Sequence, residues 1–233
     1  MSTAPHLRRL LFETLYKNRY LYRFASTVPF AGQWRVWQRL VMTRIHGHDI
    51  LELGCGLGDL LADMLEAGYT CRAIEHSPQM VAAARTTLRK RNAGLESWVM
   101  QGSAQQLPFS DNMFDTIIST FPNEYIFDPA TIAEVKRVLR PGGRIIIVEA
   151  GTLLSVGYLQ PLLLLIHFLV YGSTGKSSHR HNQASENIFT AEESPATVFG
   201  KLIPLEQFDL RRSSERVCSQ RWEVYITTGE KPE

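Results

Sequence analysis

One stretch, D-I-L-E-L-G-C-G-L-G-D at residues 49–59, constrains the fold more than any other part of the chain. A short apolar run at residues 50–53 has the length of a buried strand, and Gly54, Gly56 and Gly58 follow it before a helical pattern begins. Glycine tolerates positive φ and places no Cβ in the path of a ligand, while the first turn of the next helix offers free N–H groups to an anion. The stretch therefore predicts a strand, a tight turn and a helix that hold a nucleotide-type cofactor.

The glycine spacing differs from the dinucleotide fingerprint G-x-G-x-x-G, whose third glycine would have to stand at position 59 or 61. Those positions carry Asp59 and Leu61. The chain has E-x-G-x-G-x-G instead, with the carboxylate of Glu52 inside the strand. Such a glycine triplet can also form a turn with a purely structural role. The surrounding sequence pattern therefore has to distinguish this interpretation from a cofactor-binding turn.

Strand-like and helix-like segments alternate along the rest of the chain. Strands are predicted at residues 49–53, 70–75, 98–101, 116–120, 144–150, 209–217 and 223–228, and helices at 33–45, 59–68, 78–91 and 130–139. This alternation predicts an α/β fold with a single doubly wound, Rossmann-like, seven-stranded and mostly parallel sheet. An N-terminal helical arm precedes the sheet, and a cap follows strand five.

An acidic residue stands at the end of the second predicted strand. Glu75 lies about 20 residues beyond the glycines, which is the offset at which such a residue hydrogen-bonds the ribose hydroxyls of an adenosine. Glu75 is therefore the predicted ribose ligand.

Composition narrows the class of protein. A chain of 233 residues with 44% apolar residues can bury one sizeable core, and a net charge of +2 gives no reason to expect a nucleic-acid partner. Cys55, Cys71 and Cys218 are scattered without a C-x-x-C pair, so neither a disulfide framework nor a metal site is indicated, and a cytoplasmic location is expected.

Two segments outside the predicted core are unusual. Residues 1–48 carry eight basic residues against one acidic residue and many aromatic ones, so this arm could lie on an anionic membrane or simply cap the fold. Residues 150–175 carry no Lys, Arg, Asp or Glu. Because later strands must return to the same sheet, we expect a short helix at 161–171 that forms an apolar lid over the site, and no membrane span.

Five motifs occur in a fixed order between the glycine turn and Glu149: E-L-G-C-G-L-G, I-E-H-S, Q-G-S-A-Q-Q-L-P-F, D-N-M-F-D-T-I-I-S and K-R-V-L-R-P-G-G-R. This order resembles the class I S-adenosylmethionine-dependent methyltransferases. Within that class the chain is most similar to the ubiquinone and menaquinone C-methyltransferases. Tyr22, the turn at residues 30–32 and Trp37 fall where that group carries a tyrosine, a phenylalanine-glycine turn and a tryptophan.

The resemblance implies S-adenosylmethionine as the cofactor. It assigns the three glycines to the methionine portion, Glu75 to the ribose, and His76 or Met80 to the adenine face. The full set that it places around the cofactor is Tyr22, Glu52, Gly54, Cys55, Gly56, Gly58, Glu75, His76, Met80, Gly102, Ser103, Ala104, Gln105, Thr120 and Phe121.

The chain departs from the family pattern at two places. Ser103 stands where the family carries an acid that holds the adenine amino group, so the main chain of Ser103 and of Ala104 or Gln105 is expected to do this. After strand four the quinone enzymes have G-x-R-N, whereas this chain has T-F-P-N-E-Y. The second departure concerns the identity of the molecule that accepts the methyl group.

Methyl transfer from a sulfonium needs alignment and exclusion of water rather than a protein nucleophile. An acceptor that is a phenol or an acidic carbon also needs a base, and the candidates are Glu124, His167, His179 and His181. Glu124 and His167 are the predicted catalytic pair. The alternatives are a carboxylate that stabilises a helix N-terminus for Glu124 and a solvated loop for the histidines.

The sequence as a whole predicts a methyltransferase that acts on a small, lipophilic acceptor. The alternatives are a phospholipid or amine N-methyltransferase, a protein that binds the cofactor without chemistry, and a nicotinamide oxidoreductase. Peripheral contact with the inner face of a membrane is expected, and no oligomeric state is predicted. The predicted organisation is an arm at residues 1–48, a cofactor-binding core at 49–150, an apolar lid at 151–187 and a C-terminal helix with the last strands at 188–233.

Overall fold

Seven strands form one mixed sheet. The computed structural model describes residues 23, 28, 30, 32–91, 98–153, 202–219 and 221–233. Its strands are β1 (Asp49–Leu53), β2 (Thr70–Glu75), β3 (Val99–Gln101), β4 (Phe114–Thr120), β5 (Leu139–Leu153), β6 (Arg211–Cys218) and β7 (Trp222–Glu230). Their order in the sheet is β3-β2-β1-β4-β5-β7-β6.

Four α-helices accompany the strands in the described part of the chain. They are α1 (Trp34–Arg39), α2 (Asp59–Glu66), α3 (Pro78–Arg91) and α4 (Pro129–Val138). Short 3-10 turns lie at Leu40–Thr43, Glu124–Phe127 and Glu206–Phe208. Local chemistry explains where two of the helices begin. Pro78 suits the first position of α3, and the carboxylate of Asp128 caps α4 by accepting from the N–H of Ala130 at 2.9 Å.

β1 lies at the centre of the parallel part of the sheet. Its Ile50 is opposite Cys71 of β2 on one side and Thr116 of β4 on the other. β3 is parallel to β2 and β5 is parallel to β4, whereas β7 runs antiparallel to both β5 and β6. The parallel strands therefore end at one edge of the sheet, here called the carboxyl edge, where open α/β sheets bind ligands.

Apolar side chains alternate between the two faces of the sheet, as the period of a strand requires. Ile146 and Val148 of β5 belong to the cluster that packs against α1 and α2, where Trp37 is completely buried. Ile145 and Ile147 belong to the cluster on the opposite face, which includes residues of α4. Both faces of the central strands are therefore buried.

The predicted fold is confirmed, including the two last strands that return to the sheet. β2 and α3 begin and end at the predicted residues, whereas β4 begins at Phe114 and β5 runs from Leu139 to Leu153. β5 is longer than predicted because its partner β7 continues the pairing as far as Leu153 opposite Trp222. Strand length is set here by a partner that is distant in sequence.

Residues 1–22 of the arm and residues 154–201, which include most of the predicted lid, lie outside the described residues. Among the residues that are described, no helix is both long and apolar enough to cross a bilayer.

Candidate functional site

The glycine turn after β1 excludes side chains. Gly54, Gly56 and Gly58 have φ values of 74, 52 and 75°, which L-residues with a Cβ rarely adopt. A Cβ on Gly54 would lie 3.0 Å from the hydroxyl oxygen of Tyr125, and one on Gly58 would lie 2.9 Å from the Cβ of Ala84. The backbone angles and the close internal packing therefore restrict these positions to glycine, and the approach of a cofactor to the turn stays a prediction.

Glu75 ends β2 directly beside this turn. Its side chain is largely buried, and its two carboxylate oxygens accept from the N–H of Gly56 at 3.0 Å and from the N–H of Ser77 at 2.9 Å. The sequence predicted a ribose ligand only. The structure adds that the same carboxylate fixes the glycine turn, while each oxygen still has acceptor capacity for a ligand hydroxyl.

Glu52 is the most unusual ionisable group of the site. It is 1% exposed, and no group in the described part of the chain hydrogen-bonds its Oε2. Burial raises the pKa of Glu52 to about 8; the charge of Arg35 acts to lower it, and the carboxylates of Glu75, Asp63 and Asp59 raise it further. A buried acceptor without a partner costs about 1–3 kcal/mol, and an ammonium group of a ligand is chemically suited to offset that cost.

Cys55 lies within the turn but is a packing residue. Its side chain is 5% exposed and belongs to the apolar cluster under α1 and α2. Burial raises the pKa of its thiol well above the ordinary value, and the charges of Glu52 and Glu75 raise it further. The thiol is therefore neutral and unreactive at physiological pH.

The two candidates for the adenine face differ in their surroundings. His76 is exposed, whereas Met80 is completely buried in a small cluster with Leu57 and Ala83. A methionine five residues after a strand is equally typical of a helix face and of a ligand contact, so the adenine contact of Met80 stays a prediction. His76 is the candidate that remains accessible.

The exit from β3 is held in shape by its own side chains. The N–H of Gly102 donates to the carbonyl of Glu75 at 3.1 Å, which links this exit to the end of β2. The hydroxyl of Ser103 donates to Oε1 of Gln105, whose Nε2 donates to Asp128 at 3.3 Å. Gly102, Ser103, Ala104 and Gln105 are half-buried, so the expected main-chain contact to adenine stays a prediction.

The exit from β4 is in contact with α1. Nε2 of Gln38 donates to the hydroxyl of Thr120 at 3.3 Å, and the ring of Trp34 stacks on Phe121 with 4.0 Å between centroids. Phe121 has a φ of 51° and donates its N–H to Val148 at 2.7 Å. Positive φ is strained for an aromatic residue, and such strain is typical of functional positions. The sequence predicted a helix here but not its contact with the site.

Tyr125 is a site residue that the sequence reasoning missed. Its hydroxyl lies 2.7 Å from the hydroxyl of Ser119 and donates to the carbonyl of Leu53 at 3.1 Å, beside Gly54. Its neighbour Glu124, the predicted base, is exposed at the start of the 3-10 turn. The only signal was the departure T-F-P-N-E-Y, which sequence alone could not connect to the glycine turn.

The structure brings most of the predicted cofactor set together at the carboxyl edge. This set comprises Glu52, Gly54, Gly56, Gly58, Glu75, His76, Gly102, Ser103, Ala104, Gln105, Thr120 and Phe121. The predicted Tyr22, His167, His179 and His181 lie outside the described residues, so their roles stay predictions.

Residues 51–147, which contain the glycine turn and the exits of β2, β3 and β4, match a family described as a methyltransferase domain. This segment is a methyltransferase domain. For this segment the match agrees with the class I S-adenosylmethionine-dependent family that the motifs predicted, and S-adenosylmethionine is the cofactor of such a domain.

The methyltransferase domain has curated relatives. A demethylmenaquinone methyltransferase of Lactiplantibacillus plantarum is 31% identical over 148 residues, which cover 60% of this chain and 61% of that protein. A demethylmenaquinone methyltransferase of Symbiobacterium thermophilum is 33% identical over 150 residues, which cover 61% of this chain and 59% of that protein. The matched stretch thus spans about three fifths of each relative.

The fold has close counterparts among solved structures. A putative S-adenosylmethionine-dependent methyltransferase from Methanococcus maripaludis aligns with a TM-score of 0.55 over 94% of each chain, at 16% sequence identity. At this level of identity the likeness shows the fold of the methyltransferase domain and its surrounding strands.

Proposed function

We propose that the protein binds S-adenosylmethionine at the carboxyl edge and transfers its methyl group to a small, lipophilic acceptor by in-line displacement. The observation that carries the proposal is the combination of the glycine turn with Glu52, a buried carboxylate whose Oε2 has no hydrogen-bond partner among the described residues. A positively charged ammonium, such as that of the methionine portion, suits this carboxylate.

The residues along the carboxyl edge match the parts of the cofactor in order. Glu52 would accept from the ammonium, and Glu75 would accept from the ribose hydroxyls with the lone pairs left over by Gly56 and Ser77. The segment 102–105 would meet the adenine through its main chain. Each group lies at the end of a different parallel strand or just beyond it, as expected for this class of fold.

The reaction requires that the acceptor and the methyl donor be positioned, and it does not require a nucleophilic side chain of the protein. When bound, S-adenosylmethionine supplies a methyl group that is already activated on a sulfonium. The residues of the chain have to hold the acceptor atom about 3 Å from that methyl group and keep water away. The rigid glycine turn, with Glu75 hydrogen-bonded across it, provides a fixed reference for this alignment.

Aromatic side chains beside the exit of β4 support a lipophilic acceptor. Phe30, Trp34, Trp37 and Phe121, here called the aromatic wall, are in mutual contact. Ring centroids are 5.1 Å apart for Phe30 and Trp34 and 4.0 Å apart for Trp34 and Phe121. Flat apolar rings favour a planar, quinol-like acceptor, and the relatives are named for the methylation of demethylmenaquinone.

An acceptor that loses a proton needs a base, and three residues are proposed for it. Glu124 remains the first candidate because it follows β4 at the carboxyl edge, and His167 the second. Tyr125 is added because its hydroxyl lies beside the glycine turn.

The basic N-terminal segment supports a proposed contact with an anionic membrane surface. Arg8, Arg9, Lys17 and Arg19, with Glu13 as the one acidic residue before Asp49, would attract the segment to anionic lipids. The proposed location is the cytoplasm, with peripheral contact at the inner face of the membrane, where a lipophilic quinol would also be found.

The proposal is tested by calorimetry with S-adenosylmethionine and by a turnover assay with a panel of acceptors. We expect saturable cofactor binding and a mass shift of one methyl group on a reduced demethylquinone. Methylation of phospholipid or amine headgroups instead would favour an N-methyltransferase. Cofactor binding without transfer to any acceptor would favour a binding protein, and no cofactor binding would refute the proposal.

A further inference from the structure

Strand β5 is interrupted by a bulge close to the carboxyl edge. Its pairing with β7 runs regularly up to Val148 and resumes at Ala150 with a shifted register. Glu149 is therefore the extra residue of a β-bulge, a feature that re-aims a side chain and is common next to active sites. The bulge lies at the carboxyl edge, because Val148, opposite Thr120, is the last residue of β5 that pairs with β4.

The residues on either side of the bulge contact the aromatic wall. The carbonyl of Val148 accepts from the N–H of Phe121 at 2.7 Å. Gly151 packs so closely against the indole of Trp37 that a Cβ on this glycine would lie 2.5 Å from the Cε3 atom of the ring. Glu149 lies between these two contacts in the sequence, so its backbone is held beside the wall proposed for the acceptor.

The side chain of Glu149 belongs to a polar group on the opposite face of the sheet. Nη2 of Arg212 lies 3.9 Å from Oε1 of Glu149, and these side chains are only 11% and 13% exposed. Nε of Arg212 donates to the hydroxyl of Ser214 at 3.4 Å, and that hydroxyl lies 2.8 Å from the hydroxyl of Thr227. Nη1 of Arg212 donates to the carbonyl of Ile203, which belongs to the apolar cluster on the α4 face. The guanidinium is thus held in place by groups other than Glu149.

Glu149 has a countercharge, but its hydrogen bonds are incomplete. The 3.9 Å separation from Arg212 is too long for a hydrogen bond. Oε1 of Glu149 is buried, and none of the described residues donates a hydrogen bond to it. Burial raises the pKa of Glu149, while hydrogen bonding by Thr227 and the charge of Arg212 act to lower it. A buried carboxylate oxygen with a countercharge nearby and no donor is suited to a hydroxyl group of a ligand.

We infer that Glu149 is an acceptor-binding residue, whose Oε1 accepts a hydrogen bond from a hydroxyl group of the methyl acceptor. The inference rests on the proposed function, and it narrows the acceptor to an aromatic compound with a free hydroxyl, such as a quinol. An acceptor that lies across the end of β5 would meet the rings of the aromatic wall on one side and Glu149 on the other. A carboxylate accepts hydrogen bonds and does not donate them, so it does not favour the carbonyl oxygens of an oxidised quinone. The base stays with the candidates named above.

Binding to the complex with S-adenosylhomocysteine tests this role, because that product carries no methyl group to transfer. The probes are 1,4-dihydroxynaphthalene and 1,4-dimethoxynaphthalene, which share a flat ring system and differ in their hydroxyl hydrogens. In anaerobic calorimetry the wild type should bind the diol on the order of tenfold more tightly than the diether, since a hydrogen bond to a charged group is of that size. Equal affinity for the two probes, or no binding of the diol, would overturn the inference.

Three variants distinguish the hydrogen bond from packing. In Glu149→Ala the preference for the diol should disappear, because the diol binds more weakly and not because the diether binds more tightly. Glu149→Gln keeps the shape and one acceptor oxygen without the charge, so a preference of about threefold should remain. Glu230→Gln is the control, because it removes a carboxylate paired with Arg144 at 3.2 Å at the edge where the parallel strands begin. It should bind both probes as the wild type does.

A preference for the diol that survives in Glu149→Ala would overturn the inference. If Glu149→Ala did not fold, Glu149→Gln would decide, since a preference as large as that of the wild type would contradict a role for the carboxylate.

Steady-state kinetics with a reduced demethylquinone gives the functional readout. In Glu149→Ala the KM for this acceptor should rise about tenfold with kcat nearly unchanged. Its affinity for S-adenosylmethionine should stay within about twofold of the wild type, as expected for a residue that acts on the acceptor alone. Equal losses of affinity for cofactor and acceptor would mean that the substitution deforms the edge, and would overturn the inference. Failure of the wild type to bind S-adenosylmethionine would refute the proposed function instead.

Discussion

The two edges of the sheet each hold a carboxylate cluster, and the clusters differ in how completely their hydrogen bonds are made. At the edge where the parallel strands begin, Asp115 accepts from the N–H of His48 at 2.8 Å, from the N–H of Asp49 at 2.9 Å and from Arg140 at 2.6 Å. At the carboxyl edge, Glu52 is more deeply buried, yet its Oε2 has no partner among the described residues.

The pKa values of these two carboxylates move in opposite directions for this reason. Burial acts to raise the pKa of Asp115, but the N–H of Asp49, the guanidinium of Arg140 and the N–H of His48 outweigh it, so the pKa is lowered. Burial dominates at Glu52 and raises its pKa to about 8. A buried carboxylate with complete bonds stabilises the fold, whereas one with a bond left open is suited to a ligand.

The largest expected effect lies at the edge where the parallel strands begin. Asp115→Ala leaves two backbone N–H groups and a guanidinium without their acceptor, so we expect a loss of about 3–4 kcal/mol in the free energy of unfolding by urea. Affinity for S-adenosylmethionine should be unchanged at temperatures where the variant is folded. Asp111→Ala, which removes an exposed carboxylate from the same region, should change stability by less than about 0.5 kcal/mol. Similar losses in both variants would remove the special role of Asp115.

At the carboxyl edge the corresponding substitution should stabilise the protein. The pKa of Glu52 is raised from 4.5 to about 8 in the folded state. The contribution of protonated Glu52 to the free energy of unfolding is therefore fully present below pH 4.5 and is lost as pH rises through 8. Glu52→Gln imitates the protonated form at every pH. The gain in unfolding free energy should be below about 1 kcal/mol at pH 5 and about 3 kcal/mol at pH 7.

The same Glu52→Gln variant should lose cofactor binding. Its free energy of unfolding should therefore rise while its affinity for the cofactor falls. Urea unfolding at the two pH values and calorimetry on one preparation measure both quantities. If Glu52→Gln were less stable than the wild type at pH 7, the carboxylate of Glu52 would have hydrogen-bond partners in solution. The contrast between Glu52 and the fully hydrogen-bonded Asp115 would then disappear.

A somewhat smaller effect is expected at Glu75, whose carboxylate both holds the fold through its hydrogen bonds and has acceptor capacity left for a ligand. Its bonds to Gly56 and Ser77 hold the glycine turn, and its remaining acceptor capacity faces the proposed ribose. Glu75→Ala should weaken S-adenosylmethionine binding about 100-fold in calorimetry, since two hydroxyl groups would lose a charged acceptor. Glu206→Ala, at an exposed position of a distant 3-10 turn, is the control and should bind as the wild type does. Equal affinity in both variants would exclude Glu75 from the site.

Local patterns predicted the elements well, because local chemistry decides where they begin. β2 and α3 were predicted to the residue, since Glu75 ends an apolar run and Pro78 suits the first turn of a helix. The glycine turn and Glu75 were also predicted, because their spacing in the sequence is itself the signal. These parts of the site lie within about 30 residues of each other.

Contacts between distant segments could not be predicted. The resemblance offered Met80 for the adenine face, and nothing in the sequence indicated that it packs against Leu57 and Ala83 in the interior; its contact with a cofactor stays a prediction. Tyr125 stood in the departure T-F-P-N-E-Y, but its contact with the glycine turn could not be predicted because its partner, the carbonyl of Leu53, is 72 residues away. The pairing of Arg35 with Asp63 joins two helices across 28 residues of sequence, and a basic residue in an amphipathic helix looks the same whether it is solvated or buried.

The smallest expected effect concerns the aromatic wall, where the proposed acceptor would meet α1. Trp34 stacks on Phe121 at 4.0 Å, and α1 is separately anchored by Arg35 on α2 and by Gln38 on Thr120. Because these anchors do not involve the ring, Trp34→Ala should leave cofactor affinity within about twofold of wild type. An aromatic contact contributes about 0.5–1.5 kcal/mol, so kcat/KM for a quinol acceptor should fall by up to about tenfold.

Two further variants decide whether this loss comes from the ring or from the helix. Trp34→Phe keeps a flat apolar ring and should recover most of the activity, whereas Val36→Ala, at a position on α1 that is 45% exposed, should have no effect. If Trp34→Ala weakened cofactor binding and acceptor turnover equally, the ring would act by holding α1 in place, and the aromatic wall would belong with Asp115 among the structural clusters. A loss confined to acceptor turnover would place it with Glu52, among the groups whose interactions are completed by a ligand.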